Sequence, residues 1–242
     1  MQNLDTWPIK RIARIAGILS LGSGIPDGFS ISILKKVLVR DDAAATAANI
    51  LKFESIFRAG IVAELFALVV FAASLVLLYV VFKPASRRGA LLFLIICIMG
   101  ATLQSLDVLG DIFALSFLKG GAATAALPIA QTQAMAYLFL RMHLLIYTVA
   151  LAFTGFGSLF LAYTATQATF IPRVSGYFMV LDGLGYITHS FGTLWAPTLI
   201  VHLQPFVPYA TSILGTGALM IWLIVKGVNT DRWHEQNKVA VT

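Results

Sequence analysis

The sequence predicts an all-α polytopic membrane protein: a bundle of six transmembrane helices with a short surface helix after the first span. Two long stretches contain no Asp, Glu, Lys or Arg. One consists of the 43 residues between Asp182 and Lys226, and the other of the 31 residues between Arg141 and Arg173. A bilayer core needs about 20 apolar residues per helical span, whereas a helix of a soluble domain carries charges on its outer face. The composition agrees, because 59% of the residues are hydrophobic and only 12% are charged.

The six spans follow from the apolar runs and the residues that interrupt them. Their predicted bounds are 12–35, 56–82, 90–116, 133–163, 173–196 and 206–228. We interpret the first as an uncleaved helix kinked at Pro26, rather than as a cleaved signal peptide, because glycine, proline and Asp27 interrupt its apolar region. Together the spans fill residues 1–242 as a single membrane domain, with no separate soluble domain expected.

Proline and glycine mark the breaks between spans. The second span ends at Lys83-Pro84 and the third at Gly120-Gly121. Three prolines split the long uncharged stretch into two spans, because proline disrupts the interior of a helix. They are Pro197, Pro205 and Pro208. In the connection after the first span, Asp41 and Asp42 are expected to cap a short alanine-rich helix that lies at the membrane surface.

Lysine and arginine are distributed unequally between the two sides of this topology. With the N terminus inside, the inner segments hold ten: Lys10, Arg11, Arg14, Lys83, Arg87, Arg88, Arg173, Lys226, Arg232 and Lys238. The outer segments hold six: Lys35, Lys36, Arg40, Lys52, Arg58 and Lys119. The positive-inside rule therefore predicts a multi-pass protein of the cell (plasma) membrane with both termini in the cytoplasm.

The net charge of +6 raises the question of which partners the chain has. Its basic residues lie in short segments between helices, where they act as topology signals and contact anionic lipids. We therefore expect the lipid bilayer as a partner, with a small molecule or lipid as a candidate ligand, and no nucleic acid. No oligomeric state follows from the sequence.

Six segments occur in an order that resembles a known family. They are RIARIAGILSLG, DDAAATAANILKFESIFRAGIVAEL, LLYVVFKP, FLRMHLLIY, FIPRVSGYFMVLDGLGYI and WLIVKGVN. Together they resemble the uncharacterised bacterial membrane family known as domain of unknown function 4386. The resemblance covers nearly the whole chain and is most specific in the DAAATAANI stretch. It implies a six-helix prokaryotic integral membrane protein, which places the chain in the bacterial inner (plasma) membrane, and it implies no activity.

The chain departs from the pattern of this family at two positions. In the fourth helix, Arg141 stands two residues before His143, where the family usually has an acidic residue. In the fifth helix, the sequence GYITHSF contains His189 where the family often has an aspartate. Both changes replace an acidic side chain and so reverse the local charge.

Several ionisable residues fall inside the predicted spans: Asp27, Glu64, Asp107, Asp111, Arg141, His143, Asp182 and His189. A charged residue at the centre of a spanning helix costs roughly 2.5–3.5 kcal/mol. These groups are therefore expected to face the interior of the bundle, to pair with one another, or to carry a proton.

Helical spacing predicts that these residues converge. Gln104, Asp107 and Asp111 share one face of the third span, because they are three and four residues apart. Asp182, Tyr186 and His189 share one face of the fifth. The expected polar cluster comprises Glu64, Gln104, Asp107, Asp111, Arg141, His143, Asp182, Tyr186 and His189. Because successive helices alternate in direction, most of these residues fall in the outer half, which predicts a polar cavity that opens outward.

Within this cluster, Arg141 is expected to form an ion pair with Asp107 or Asp111. His143 is interpreted either as a hydrogen-bonded core residue or as a ligand. A zinc site assembled from Asp107, Asp111, His143 and His189 has chemically suitable ligands. No HExxH, HxxxH or CxxC motif is present, so no motif indicates a cofactor, and the single Cys97 is read as a structural thiol.

These observations leave three functions open. The leading interpretation is the binding or passage of a small or lipidic molecule through the outward-facing polar cavity. The second is an intramembrane metal-dependent hydrolase that uses carboxylates and histidines. The third is an accessory subunit whose polar residues only specify helix packing. No nucleotide-binding loop or serine-nucleophile motif points to another class of enzyme.

Overall fold

A computed structural model describes residues 7–122, 124–200 and 207–239. In this part of the chain the regular structure is helical throughout and contains no strand. The elements are α1 Ile9–Val37, α2 Ala43–Lys52, α3 Glu54–Phe82, α4 Arg87–Lys119, α5 Ile129–Gln167, α6 Val174–Trp195, α7 Pro197–Ile200, α8 Val207–Ser212, a π-helical turn Ile213–Gly217, α9 Ala218–Val225 and α10 Thr230–Val239.

Five of these segments are long and apolar enough to cross a membrane. They are α1, α3, α4, α5 and the continuous helical segment Val207–Val225. The sixth predicted span corresponds to this last segment, although residue 206 and Pro205 lie outside the described residues. The fifth predicted span corresponds to α6, whose 22 residues give a length of about 33 Å. The predicted class, an all-α membrane protein, is confirmed, with five clear spans and α6 as a sixth long helix.

The first helix is continuous from Ile9 to Val37 and contains Pro26 in its interior. The predicted surface helix after it is α2, which begins as the sequence indicates. The Ala45 N–H donates a hydrogen bond to Asp42 Oδ1 at 2.8 Å, so Asp42 is the N-cap. Asp41 has a different role, because it adopts a left-handed conformation with φ 57°. Its backbone N–H donates to the Tyr137 hydroxyl at 3.0 Å.

The chain divides into two compact units. Unit 1 consists of Met1–Leu21, Val70–Ala101 and Thr148–Thr242, and unit 2 consists of Gly22–Val69 and Thr102–Tyr147. The helices α1, α3, α4 and α5 contribute residues to each unit. The assignment of residues 1–242 to a single domain stays a prediction.

Unit 1 has an apolar core to which the last helix is attached. Leu75, Phe82 and Leu161 are among its fully buried side chains. Trp233 of α10 is also buried, and its Nε1–H donates to the Val81 carbonyl oxygen at 2.8 Å. Because Val81 stands in the last turn of α3, this bond satisfies a carbonyl that has no partner within its own helix.

The helices α5 and α6 approach closely in unit 1, and glycine permits this approach. A Cβ atom built on Gly183 lies 2.8 Å from the carbonyl oxygen of Gly155, and one built on Gly155 lies 2.9 Å from the carbonyl oxygen of Gly183. Both distances are too short for a side chain. Small residues at such crossings let helices in membranes pack backbone against backbone.

Unit 2 has a smaller apolar core. Ile50 of α2, Phe57 of α3 and Leu140 of α5 are buried in it, together with Ala114 and Leu115 of α4. The surface helix α2 therefore contributes a side chain to the interior of this unit. The polar residues described next belong to the same unit.

Candidate functional site

Four helices of unit 2 direct acidic, histidine and hydroxyl side chains toward one another. Glu64 of α3, Asp107 and Asp111 of α4, and His143 of α5 are each no more than 2% exposed. Asp107 and Asp111 are one helical turn apart, so they share the face of α4 that the sequence pattern indicates. We call these four residues, together with Asp27 and Ser30 of α1 and Gln104 of α4, the polar centre.

Glu64, Asp111 and His143 form the middle of the polar centre. His143 Nδ1 lies 3.2 Å from Asp111 Oδ1, a distance that makes an ion pair when the imidazole carries a proton. Glu64 Oε2 accepts a hydrogen bond of 2.8 Å from the Ser30 hydroxyl. One potential ligand atom from each of Glu64, Asp111 and His143 lies within 4.8 Å of the others.

The remaining residues of the polar centre adjoin this group. Gln104 Nε2 donates to Asp27 Oδ1 at 3.2 Å, which links α4 to α1. The carboxyl groups of Asp107 and Glu64 are close neighbours.

Several buried polar atoms of the polar centre have no hydrogen-bond partner. They are Glu64 Oε1, both carboxylate oxygens of Asp107, Asp111 Oδ1, and both ring nitrogens of His143. The 3.2 Å contact between His143 and Asp111 is thus close, but it lacks hydrogen-bond alignment. Buried polar atoms are nearly always satisfied in native proteins, so a group of them calls for a partner such as a proton, an ordered water or an ion.

The charges of the polar centre are unequal. Four carboxyl groups, from Asp27, Glu64, Asp107 and Asp111, face one imidazole. Among the residues that the structure describes, no lysine or arginine forms a salt bridge with any of the four. Several negative charges in a buried site are costly without a cation, because the interior screens them weakly. A positive ion or bound protons would offset this cost.

The expected ion pair of Arg141 with Asp107 or Asp111 is not formed. Arg141 is exposed and takes part in none of the salt bridges of the described residues. The physical reason is helical geometry: positions 141 and 143 are separated by about 200° around the helix axis. With His143 turned toward Asp111, Arg141 points away from the polar centre.

Asp182, Tyr186 and His189 belong to unit 1, whereas the rest of the expected cluster belongs to unit 2. His189 is half-buried and its Nδ1 has no hydrogen-bond partner. Its approach to Asp107, Asp111 and His143 stays a prediction. The potential metal ligands that the structure groups together include Asp111 and His143 of the predicted zinc set, with Glu64 as the third.

Ser30 is a member of the polar centre that was not expected from the sequence. A signal for it exists, since Ser30 follows Asp27 by three residues and therefore lies on the same face of α1. Glu64 was expected in the cluster but not as a metal ligand, because no neighbour on its own helix suggests that role.

Glycine also shapes the polar centre. A Cβ atom built on Gly110 lies 3.0 Å from the Phe139 carbonyl oxygen and 3.8 Å from His143 Cβ, so α4 and α5 are in close contact beside Asp111. A narrow gap lined by Ser30, Gly60 and Asp111 adjoins the centre and has no room for a water molecule. There is therefore little free space beside Asp111.

The helices and their enclosed polar residues define a polytopic integral membrane protein with a buried acidic and histidine centre. The chain belongs to the family described as "Domain of unknown function (DUF4386)", whose model matches residues 15–227. No curated protein and no solved structure matches the chain significantly. Membership of this family assigns no activity, so the function has to be argued from the site.

Proposed function

We propose that this membrane protein binds a divalent transition-metal ion at Glu64, Asp111 and His143. The observation that supports the proposal is the grouping of two carboxylates and one imidazole within 4.8 Å in a fully buried setting. Carboxylate oxygen and imidazole nitrogen are both ligands of Zn²⁺, and they also suit Mn²⁺ and Fe²⁺. A divalent ion would offset the excess of negative charge in the polar centre.

The geometry needs only a small contraction to hold such an ion. Zinc binds oxygen and nitrogen at about 2.0–2.2 Å, which places tetrahedral ligand atoms about 3.4 Å apart. The three ligand atoms lie within 4.8 Å of one another, so side-chain movements of about 1 Å would bring them to the spacing that zinc requires. Ser30 supports it, because its hydrogen bond orients the Glu64 carboxylate as outer-shell partners orient metal ligands.

A small ion fits this centre better than a lipidic molecule. The gap beside Asp111 does not admit even a water molecule, and a lipid needs a much larger cavity. An ion would enter from the outer side when the helices around the polar centre separate slightly. This route rests on the predicted orientation, with both termini in the cytoplasm and the protein in the bacterial inner membrane.

The bilayer itself is the partner that we propose for the outer surface of the helices. On α3, Val62, Phe66 and Val69 are exposed and follow helical spacing, so they form one apolar stripe. An uninterrupted apolar stripe of this kind is suited to contact with lipid chains rather than water.

A metal-dependent hydrolase is the second candidate, and one observation favours it. Three protein ligands leave the fourth position of a zinc ion for a water molecule, as in catalytic zinc sites. Asp107 lies beside Glu64 with both oxygens unpartnered, so it could accept a proton from that water. This function additionally requires a path for the substrate into the enclosed centre.

The experiment measures metal in the purified protein and its binding affinity for Zn²⁺ and Mn²⁺. We expect one ion per chain, and we expect His143→Ala and Asp111→Asn to weaken binding at least tenfold. Arg141→Ala is the matched control, since Arg141 lies two residues from His143 but points away from the centre. Size-exclusion profiles identify variants that have failed to fold.

The outcome separates the candidates. Wild-type protein that binds neither ion, or Asp111→Asn protein that binds as tightly as Arg141→Ala, overturns the proposal. Metal-dependent hydrolysis of a phospholipid or an ester substrate that Asp107→Asn abolishes, with metal binding retained, would favour the hydrolase.

A further inference from the structure

A buried carboxylate outside the polar centre, that of Asp182, lies in unit 1. Asp182 of α6 is 0% exposed. Its Oδ2 atom accepts hydrogen bonds from the Ser158 hydroxyl at 2.7 Å and from the Thr216 hydroxyl at 3.1 Å. Its Oδ1 atom is buried and has no hydrogen-bond partner.

The hydroxyl groups around Asp182 come from two neighbouring helical segments. Ser158 belongs to α5, and Thr216 lies in the π-helical turn Ile213–Gly217. The Ser212 hydroxyl also lies within hydrogen-bonding reach of the Asp182 carboxyl group, and it accepts a bond of 3.0 Å from the Tyr186 hydroxyl. Within the described residues, no salt bridge reaches Asp182.

The π-helical turn packs directly against Asp182. A Cβ atom built on Gly215 would collide with Asp182 Cβ and would lie 2.7 Å from the Phe178 carbonyl oxygen. Only glycine therefore permits this contact. Single π-helical turns are rare and occur frequently at functional sites, because they rearrange the backbone hydrogen bonds of a helix. Here the turn brings Thr216 to the carboxylate.

We propose that Asp182, Ser158, Ser212 and Thr216 form a binding site for a sodium-sized monovalent cation. All four offer oxygen, the ligand that hard cations prefer, and none offers nitrogen or sulfur. Each hydroxyl can donate its proton to a neighbour and still present lone pairs to an ion. One carboxylate and one Na⁺ give a neutral complex, which suits a buried site better than the net positive charge that a divalent ion would leave.

This site is separate in its residues and in its chemistry from the one proposed at Glu64, Asp111 and His143. It contains no imidazole, and its polar atoms come from unit 1 alone. The two proposals can therefore fail independently. A variant of the polar centre, such as His143→Ala, should leave the sodium site intact.

The test measures thermal unfolding of the purified full-length protein in detergent, in NaCl and in choline chloride at equal ionic strength. We expect Tm to rise with Na⁺ concentration, and above the dissociation constant to rise with its logarithm, because a ligand that binds only the folded state stabilises it. Asp182→Asn keeps the shape of the side chain and should abolish the Na⁺-dependent rise. Ser158→Ala should weaken the apparent Na⁺ affinity at least threefold.

Two results would overturn the proposal. One is a wild-type Tm that is the same in NaCl and in choline chloride while direct ²²Na⁺ binding is also undetectable. The other is a folded Asp182→Asn variant that keeps the full response to Na⁺, which would assign Asp182 to helix packing. His143→Ala serves as the control that must retain the response.

Discussion

The crossing of α5 and α6 at Gly155 and Gly183 allows a quantitative test of the packing in unit 1. The substitution Gly183→Ala adds one Cβ atom. That atom would lie 2.8 Å from the Gly155 carbonyl oxygen and 2.7 Å from Leu159 Cδ2. The leucine can change its rotamer, but the carbonyl oxygen belongs to the backbone of a helix. The helices must therefore separate locally.

The size of the effect follows from these distances. Ordinary van der Waals contact begins at 3.4 Å, so the backbones at Gly155 and Gly183 must move apart by about 0.6 Å. When a gap of 0.5–1 Å opens, the atoms that line it lose roughly a quarter to a half of their dispersion energy. Overpacking of a close-packed interior typically costs about 1–3 kcal/mol. Alanine recovers up to about 1 kcal/mol through its better helix propensity. With an overpacking cost in the middle of that range, about 2 kcal/mol, the expected net loss is about 1 kcal/mol or more.

The assay is reversible unfolding of the purified protein in mixed micelles, monitored by circular dichroism. Gly28→Ala in α1 is the control, because a Cβ atom on Gly28 meets no other atom within 4 Å. It should be neutral or slightly stabilising. If Gly183→Ala is as stable as Gly28→Ala, the two helices do not touch at this crossing, and the packing argument is refuted.

Three further predictions follow from contacts elsewhere. Asp42→Ala should lower the free energy of unfolding by about 1 kcal/mol, because it removes the N-cap of α2, whereas Asp42→Asn should retain most of it in chemical denaturation. Trp233→Phe should cost about 1–3 kcal/mol in the same assay, because the buried Val81 carbonyl loses its partner, and an unchanged stability would show that α10 is not docked. Reporter fusions at residue 86 and residue 125 should read cytoplasmic and external respectively, and the reverse pattern would overturn the orientation.

Much of the architecture could be predicted from the sequence, because a run of 20 or more residues without charge is typical of a membrane span and rare in a soluble helix. The cost of burying charge also predicts that Asp107, Asp111 and His143 lie on interior faces, as they do. The same argument is wrong for Arg141, because residues two apart on a helix point in nearly opposite directions. The helical spacing that turns His143 toward the interior places Arg141 on the opposite, exposed face of α5.

Other features had no usable signal in the sequence. Serine and threonine hydroxyls commonly bond to carbonyls of their own helix, so nothing distinguishes Ser158, which reaches Asp182, from Thr164, which bonds to the Phe160 carbonyl. The π-helical turn likewise depends on how Gly215 packs against α6. Tertiary contacts decide both features, and local propensity does not.

The hydrogen bond from Trp233 to Val81 has a consequence for the order in which the chain folds. Its two residues are 152 positions apart. At a synthesis rate of about 5–20 residues per second, the end of α3 emerges about 8–30 s before Trp233 does. The last turn of α3 therefore gains this donor only after the 152 further residues up to Trp233 have been synthesised. Any truncation upstream of residue 233 would leave the Val81 carbonyl permanently without this donor.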